Sequence, residues 1–517
     1  MRDNEVVTVG PEPLTFDDVI RVARHGAPVR LSDDAVAAIA AARQRVDELA
    51  ETPRPPHYGI STGFGALATR HIDPALRAQL QRSLVRSHAA GSGPEVETEV
   101  VRALMLLRLH TLATGHTGIR PTTARTLAAL ISSGITPIVH EYGSLGCSGD
   151  LAPLAHVALT LMGEGVVRDA SGAVRPAAEA LKQARIDPVE LAAKEGLALI
   201  NGTDGMLGML ILAIHDLTKL VRTADVSAAM SVEALLGTDR VFAPELQELR
   251  PHPGQARSAA NMVKVLRGSG IMASHRDPAA CTRVQDAYSL RCAPQVAGAA
   301  RDTIAHAASV AGWELASAVD NPAVLADGRV ESNGNFHGAP LAYVLDFLAI
   351  VAADLASMAE RRTDRFLDVA RNHGLPAFLA DDPGVDSGHM IAQYTQAALV
   401  SELKRLAVPA SVDSIPSSAM QEDHVSMGWS AARKLRKSVD GLTRVLAVEV
   451  LTAARAIDLR APLEPAPATA AVVRALRETV PAPGPDRFLA PEIEAAVRLV
   501  AEGGVVAAAE SVTGPLD

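Results

Sequence analysis

Aromatic side chains are scarce in this 517-residue chain: two Trp, five Tyr and eight Phe make up 3% of it. A core with so few large rings is filled by small aliphatic residues, and the abundance of Ala favours closely packed helices. Cysteine is equally sparse. Cys147, Cys281 and Cys292 form no Cys-x-x-Cys pair, which excludes a disulfide framework and points to a reducing, cytoplasmic setting. The net charge is −10 and no block of basic residues occurs, so nucleic acid is not an expected partner. No apolar stretch follows the polar start Met1-Arg-Asp-Asn-Glu5, which excludes a signal peptide. The most apolar long segment, Leu341 to Glu360, is interrupted by Asp346 and Asp354, and no membrane span is expected. His-Glu-x-x-His is missing and the 16 histidines are dispersed, so no metal site is expected. What remains, at 48% hydrophobic residues, is a globular, mainly α chain.

One stretch stands out: Gly143-Ser-Leu-Gly-Cys-Ser-Gly-Asp-Leu-Ala-Pro-Leu-Ala-His156. It lacks the final Gly of a Gly-x-Ser-x-Gly nucleophile elbow and the Lys of a phosphate loop. Its centre, Cys147-Ser148-Gly149, suits a different chemistry. If the backbone bends tightly, the Gly149 nitrogen can attack the Cys147 carbonyl carbon and close a five-membered ring. Dehydration of Ser148 then leaves an exocyclic methylidene, giving the electrophile 4-methylideneimidazole-5-one (MIO). Gly at the third position avoids a Cβ that would crowd the attacking nitrogen. Ser at the second can lose water to an unsubstituted methylidene. The first position need only be small, because its side chain stays outside the ring.

Along the chain, Thr15-Phe-Asp-Asp18 has the character of a capping box opening a short helix that stops near His25-Gly26. Ser32 opens a longer helix with Ala35, Ile39, Ala42, Val46 and Leu49 on one face, and Pro53 to Pro56 break it. The segment His57 to Gly65 carries three glycines in nine residues and reads as a loop. Helices are expected at Gln79 to Gly91, Val100 to Ala113 and Leu151 to Met162, and a surface excursion over 164 to 190. Asn201 fits an N-cap for an apolar helix from Met206. Beyond it the spacing is helical, as in Leu341, Val344, Leu345, Leu348, Ala352 and in Arg433 to Arg460. Val284 to Gln295 and Asp320 to Gly338 read as non-helical islands, and Pro462 to Pro485 as a linker to a short helical tail.

The ring-forming stretch resembles the signature of the histidine and aromatic amino-acid ammonia-lyases over more than a dozen residues. Ala is usual where Cys147 stands; Cys147 resembles a variant of some bacterial histidine lyases, and it adds an oxidisable thiol. Five further segments resemble the same family. Tyr-Gly-x-x-Thr-Gly-Phe-Gly from Tyr58 is similar to its tyrosine loop, with Ser61 where Asn is common. Glu195 to Thr203 carries its Asn-Gly-Thr, with Asp204 in place of an expected Gln. Val284 to Gln295, with Ala287 for a usual Pro, is the next, followed by Asp320 to Gly338. Ser411 to Met427, with Met420 for a usual Asn, is the last. Ser87-His88 falls where the family selects its substrate and is similar to the histidine lyases; phenylalanine lyases carry Phe-Leu there and tyrosine lyases His-Leu. The resemblance runs from about Tyr58 to about Arg460, and the chain is identified as a member of the histidine ammonia-lyase branch.

The resemblance implies elimination of ammonia from L-histidine to give trans-urocanate, the first step of histidine degradation. It implies no external cofactor beyond MIO formed autocatalytically from Cys147-Ser148-Gly149. It assigns Tyr58 as the base, which requires a positive or hydrogen-bonding environment because a phenol has a pKa of about 10. Asn201 and Tyr288 would donate to the ring, Arg291 would clamp the substrate carboxylate, Phe336 would pack on the imidazole, and His88, Gln285 and Glu422 would contact it. Glu422 has the competing reading of a cap for the helix that follows. The implied fold is a head domain over 1–204 carrying the active-site loops, and a helical-bundle domain with a C-terminal tail over 205–517, in the fumarase/aspartase-like superfamily. The implied assembly is a homotetramer with shared active sites. A phenylalanine or tyrosine lyase or aminomutase is disfavoured by Ser87-His88 and Glu422. A fumarase-type lyase lacks its Gly-Ser-Ser-x-Met-Pro-x-Lys-x-Asn loop here. An inactive scaffold is disfavoured by intact Tyr58, Ser148, Asn201 and Arg291.

Overall fold

The computed structural model describes residues 5–51, 56–277, 281 and 284–517; the expected break at Pro53 and Pro55 lies outside them. The protein is mainly α, with short strands confined to small sheets. It divides into two compact units, neither continuous in sequence. The first comprises Met1–Leu212, Ala308–Asp346 and Pro409–Arg433; the second comprises Ala213–Ala307, Phe347–Val408 and Lys434–Asp517. Four helices, Asp204–Ala234, Ala293–Leu315, Ala339–Leu367 and Gly428–Asp458, have residues assigned to both. That is why the division does not follow the single cut expected at 204/205.

In the first unit, Thr15 caps the helix Phe16–Arg24 in a reciprocal box with Asp18. Ser32 Oγ accepts from the Ala35 amide (3.1 Å) at the start of the helix Asp33–Glu51. Both starts follow from a hydroxyl meeting the unpaired amides of a first turn. Helix Thr98–Ala113 is buried on every face from Val100 onward, as a central helix must be. Arg102 and Arg108 are buried with it. Three expectations shift here. The helix expected to reach Gly91 runs Arg77–His88. The 164–190 excursion contains the hairpin Val166–Arg168 with Val174–Pro176, and the helix Ala177–Ala184. Asn201 is not an N-cap but ends the helix Glu195–Ile200, and the next helix starts at Asp204.

In the second unit, the expected island at 284–295 contains the helical turn Tyr288–Arg291, and the supposed linker after Pro462 holds the helix Pro467–Arg477. Two segments, Glu195–Ala234 and Ala339–Leu367, are long and apolar enough to cross a bilayer, since Asp346 and Asp354 do not break the second; their most apolar windows are 100% and 61% buried within the protein. Burial of this kind also marks the core helix of a globular fold.

The second unit's core encloses an ion pair. Glu449 accepts from Arg362 and from the hydroxyls of Ser227 and Ser231 (2.8 Å each), with both charged side chains nearly inaccessible. Glu449→Ala would leave the guanidinium buried and unpaired, with an expected loss of about 3–5 kcal/mol. Thermal unfolding checks this: the single variant should melt well below the wild type, and Arg362→Met with Glu449→Leu should recover most of the loss.

Candidate active site

The stretch 143–150 leads into the helix Leu151–Leu161 and is held against the turn between Ile200 and Asp204. Gly149 has φ +76°, and a Cβ there would lie 2.1 Å from the Gly202 carbonyl oxygen. Only glycine fits, on conformation and on space. The same oxygen accepts from the Asp150 amide at 2.7 Å. The Asp150 carboxylate accepts from Ser144 Oγ (3.0 Å) and from the Gly205 and Met206 amides (2.9 Å each). Complete burial outweighs these donors and pushes its pKa up to about 7.

Gly202 is enclosed from behind: a Cβ there would sit 2.4 Å from Arg108 Nη2 and 2.4 Å from Asp204 Oδ2. The buried Arg108 guanidinium donates to the carbonyls of Ala198 (3.1 Å), Asn201 (3.1 Å) and Val319 (3.0 Å), and pairs with Asp204 at 3.2 Å. Asp204, left without a role by sequence reasoning, is the counter-ion of a clamp. Its partner was legible only as a charge inside a leucine-rich helix, a position that demands compensation.

Tyr58, His88, Ser148, Asn201 and Glu422 all line one cavity of about 690 Å³. Ser148 Oγ donates to Glu422 Oε1 (2.9 Å), while Cys147 Sγ (3.1 Å) and Ser417 Oγ (2.9 Å) donate to Oε2. Glu422 does not cap the next helix, which starts at Gly428. Tyr58 Oη accepts from the Gly65 amide at 3.0 Å. Burial raises its pKa above the ordinary phenol value; the Gly65 bond opposes this and the Glu422 charge adds to it. The lowering environment expected for a base is therefore not supplied by these neighbours. His88 Nδ1 lies 2.9 Å from the Leu84 carbonyl. A carbonyl only accepts, so the proton sits on Nδ1 and Nε2 is the acceptor. Asn201 Nδ2 donates to the Asn321 carbonyl (2.9 Å), and its Oδ1 is buried without a protein partner. Sequence reasoning missed Arg70 and Ser418, which line the same cavity; Arg70 lies on a loop with nothing to flag it, and Ser418 opens a 3-10 turn within the Ser411 to Met427 motif.

A family profile described as aromatic amino acid lyase matches residues 14–478. A histidine ammonia-lyase of Streptomyces avermitilis is 68% identical over 99% of both chains. Among solved structures, histidine ammonia-lyase from Trypanosoma cruzi has a TM-score of 0.90 at 38% identity, covering 98% of this chain and 95% of that one. The chain belongs to the aromatic amino acid lyase family. Tyrosine aminomutase from Streptomyces globisporus is equally similar in structure, with a TM-score of 0.92 at 39% identity over 99% of this chain and 100% of that one. The lyase fold thus serves proteins named for different amino acids, and substrate choice has to be argued from side chains.

The remaining expected site residues do not line the cavity that holds Ser148. Gln285, Tyr288 and Arg291 belong to the second unit. Tyr288 is 70% exposed, and the Arg291 guanidinium stacks 4.7 Å from its ring centroid. Phe336 is half-buried on the irregular segment of the first unit.

Partial burial lowers the His88 pKa from the ordinary 6.5, more than the Leu84 bond and the Glu422 charge raise it. A histidine that resists protonation when folded loses its contribution to stability as pH falls through the unfolded value. NMR titration should place the His88 midpoint below the ordinary 6.5, with the neutral ring in the Nδ1-H tautomer; an ordinary midpoint would contradict this environment.

Proposed function

We propose that this chain eliminates ammonia from L-histidine to give trans-urocanate, and does so in the cytoplasm. The observation that carries the reading is that Ser148, Glu422 and His88 share one cavity with Tyr58 and Asn201. The near full-length similarity to proteins named histidine ammonia-lyase supports it. The surroundings of Cys147-Ser148-Gly149 fit MIO. No Cβ is tolerated at Gly149, and the buried Asn201 side chain, with one oxygen unpartnered, lines the same cavity as Ser148. When formed, MIO supplies an electrophile that draws electrons from the substrate amine, which is otherwise a poor leaving group.

The chain's own residues do the rest. Glu422 accepts from an imidazole N–H, and His88 Nε2 offers a second acceptor. A phenyl ring has no N–H, so phenylalanine would leave the Glu422 Oε1 oxygen, vacated when the Ser148 hydroxyl is lost, without a donor, at roughly 1–3 kcal/mol for a neutral group and more for a charge. Tyr58 Oη removes the Cβ proton. Burial raises its pKa, so it needs a cation close by, and Arg70, which lines the same cavity, is not among the groups that shift the phenol. We assign that cation, and the clamp on the substrate carboxylate, to Arg291 contributed by another subunit together with Tyr288, Gln285 and Phe336. This makes the enzyme a homotetramer with shared sites. Exposed Tyr288 and the stripe Tyr343, Phe347 and Ile350, which are 53%, 46% and 46% exposed on the helix Ala339–Leu367, support a covering partner.

Purified protein should convert L-histidine to urocanate, and its intact mass should fall two water molecules below that of the encoded chain. Ser148→Ala has no hydroxyl to expel, so it should fall at most one water below its own encoded mass and lose nearly all turnover. A full-mass active enzyme, or equal kcat/KM for histidine and phenylalanine, would overturn the assignment.

Shared sites have their own test. Mixing inactive Ser148→Ala and Tyr58→Phe chains should restore part of the activity once subunit exchange is verified, because hybrids can assemble an intact site. No recovery after exchange would count against sharing.

A further inference from the structure

Glu422 has three donors, unequally divided. Oε2 receives the Cys147 thiol at 3.1 Å and the Ser417 hydroxyl at 2.9 Å, whereas Oε1 receives the Ser148 hydroxyl at 2.9 Å. Ring closure treats these donors differently. The first water takes the Cys147 carbonyl oxygen with one hydrogen from the Gly149 nitrogen and one from the Ser148 nitrogen. The second takes the Ser148 hydroxyl together with the Ser148 Cα hydrogen. Neither removes Cys147 Sγ or Ser417 Oγ. We propose that the Cys147 thiol is a positioning group for Glu422: with Ser417 it keeps hold of Oε2, while loss of the Ser148 hydroxyl uncovers Oε1 for the imidazole of the substrate.

The inference rests on the histidine reading above and adds to it a residue that stands where Ala is usual. The geometry requires Cys147 to remain a thiol, since a thiolate beside a carboxylate would repel it and donate nothing. Burial, followed by the Glu422 charge, pushes the Cys147 pKa up to about 12, which keeps the proton on sulfur at any working pH. The side chain is 6% exposed, so water is a poor substitute donor. Ser at this position keeps a donor; Ala removes it.

The test uses full-length assembled enzyme carrying Cys147→Ala, Cys147→Ser or Ser417→Ala. All three should be two waters short by intact mass. Cys147→Ala should raise the KM for L-histidine by about threefold to tenfold, the loss of one weak donor to a charged group, with kcat changed by less than about twofold. Cys147→Ser should return KM to within about twofold of the wild type, and Ser417→Ala should raise it as Cys147→Ala does. A Cys147→Ala enzyme with wild-type KM overturns the proposal, as does one that retains either water, because the side chain would then act in ring formation and not after it. A wild type that fails to turn over histidine overturns the substrate reading and this proposal together; normal wild-type turnover with an unchanged variant overturns the proposal alone.

Discussion

The contact between Gly149 and the Gly202 carbonyl is the constraint on which the site depends. The two backbone segments approach so closely that Gly149 cannot carry a Cβ, and the Arg108 and Asp204 side chains close off the space behind Gly202. Close approach of this kind persists only when the surroundings over-determine it. Here the surroundings are polar on both sides. Asp150 gathers a hydroxyl and two amides on one side, and Arg108 with Asp204 grips three carbonyls on the other. Charges are expensive to bury, and a core of aliphatic side chains offers few other ways to fix backbone position to a fraction of an ångström.

Electrostatics around the cavity push in one direction. Burial raises the pKa of Tyr58 and Cys147 and lowers that of His88, so each of these groups is biased toward its neutral form. Glu422 contributes to all three shifts, and always against negative charge or in favour of positive charge on its neighbours. A site of this kind receives a cationic ammonium or imidazole N–H well, and its tyrosine gives up its own proton reluctantly.

Much of this was legible in the sequence where local rules decide. The Thr15 capping box and the buried face of the helix after Ser32 depend on residues a few positions apart, and ring closure with Cys147 already called for glycine at 149 before the Gly202 carbonyl was placed against it. Tyr58, His88, Ser148, Asn201 and Glu422 could be named because each sits in a distinctive motif. What could not be read depends on distant partners. Asp204 had no role until Arg108, 96 positions away, was placed beside it. Asn201 looked like a cap because its hydrogen-bond acceptor, the carbonyl of Asn321, is 120 positions away. The helix Pro467–Arg477 was hidden by flanking prolines, one of which occupies the first turn, where proline is tolerated.

The clamp and the cavity draw on different side chains. Arg108, Asp150, Gly202 and Asp204 fix the loop from behind, whereas Leu84, Ser87, His88 and Ser418 face the open space. Substitutions among the second group can re-tailor what the pocket accepts without disturbing the machinery that creates its electrophile. A fold partitioned this way is easily diversified: one scaffold can pass between amino-acid substrates, as its likeness to a tyrosine aminomutase illustrates. Glu422 is the exception, touching both the nascent ring and the pocket, and it is the position where a lineage changing its diet would meet the greatest resistance.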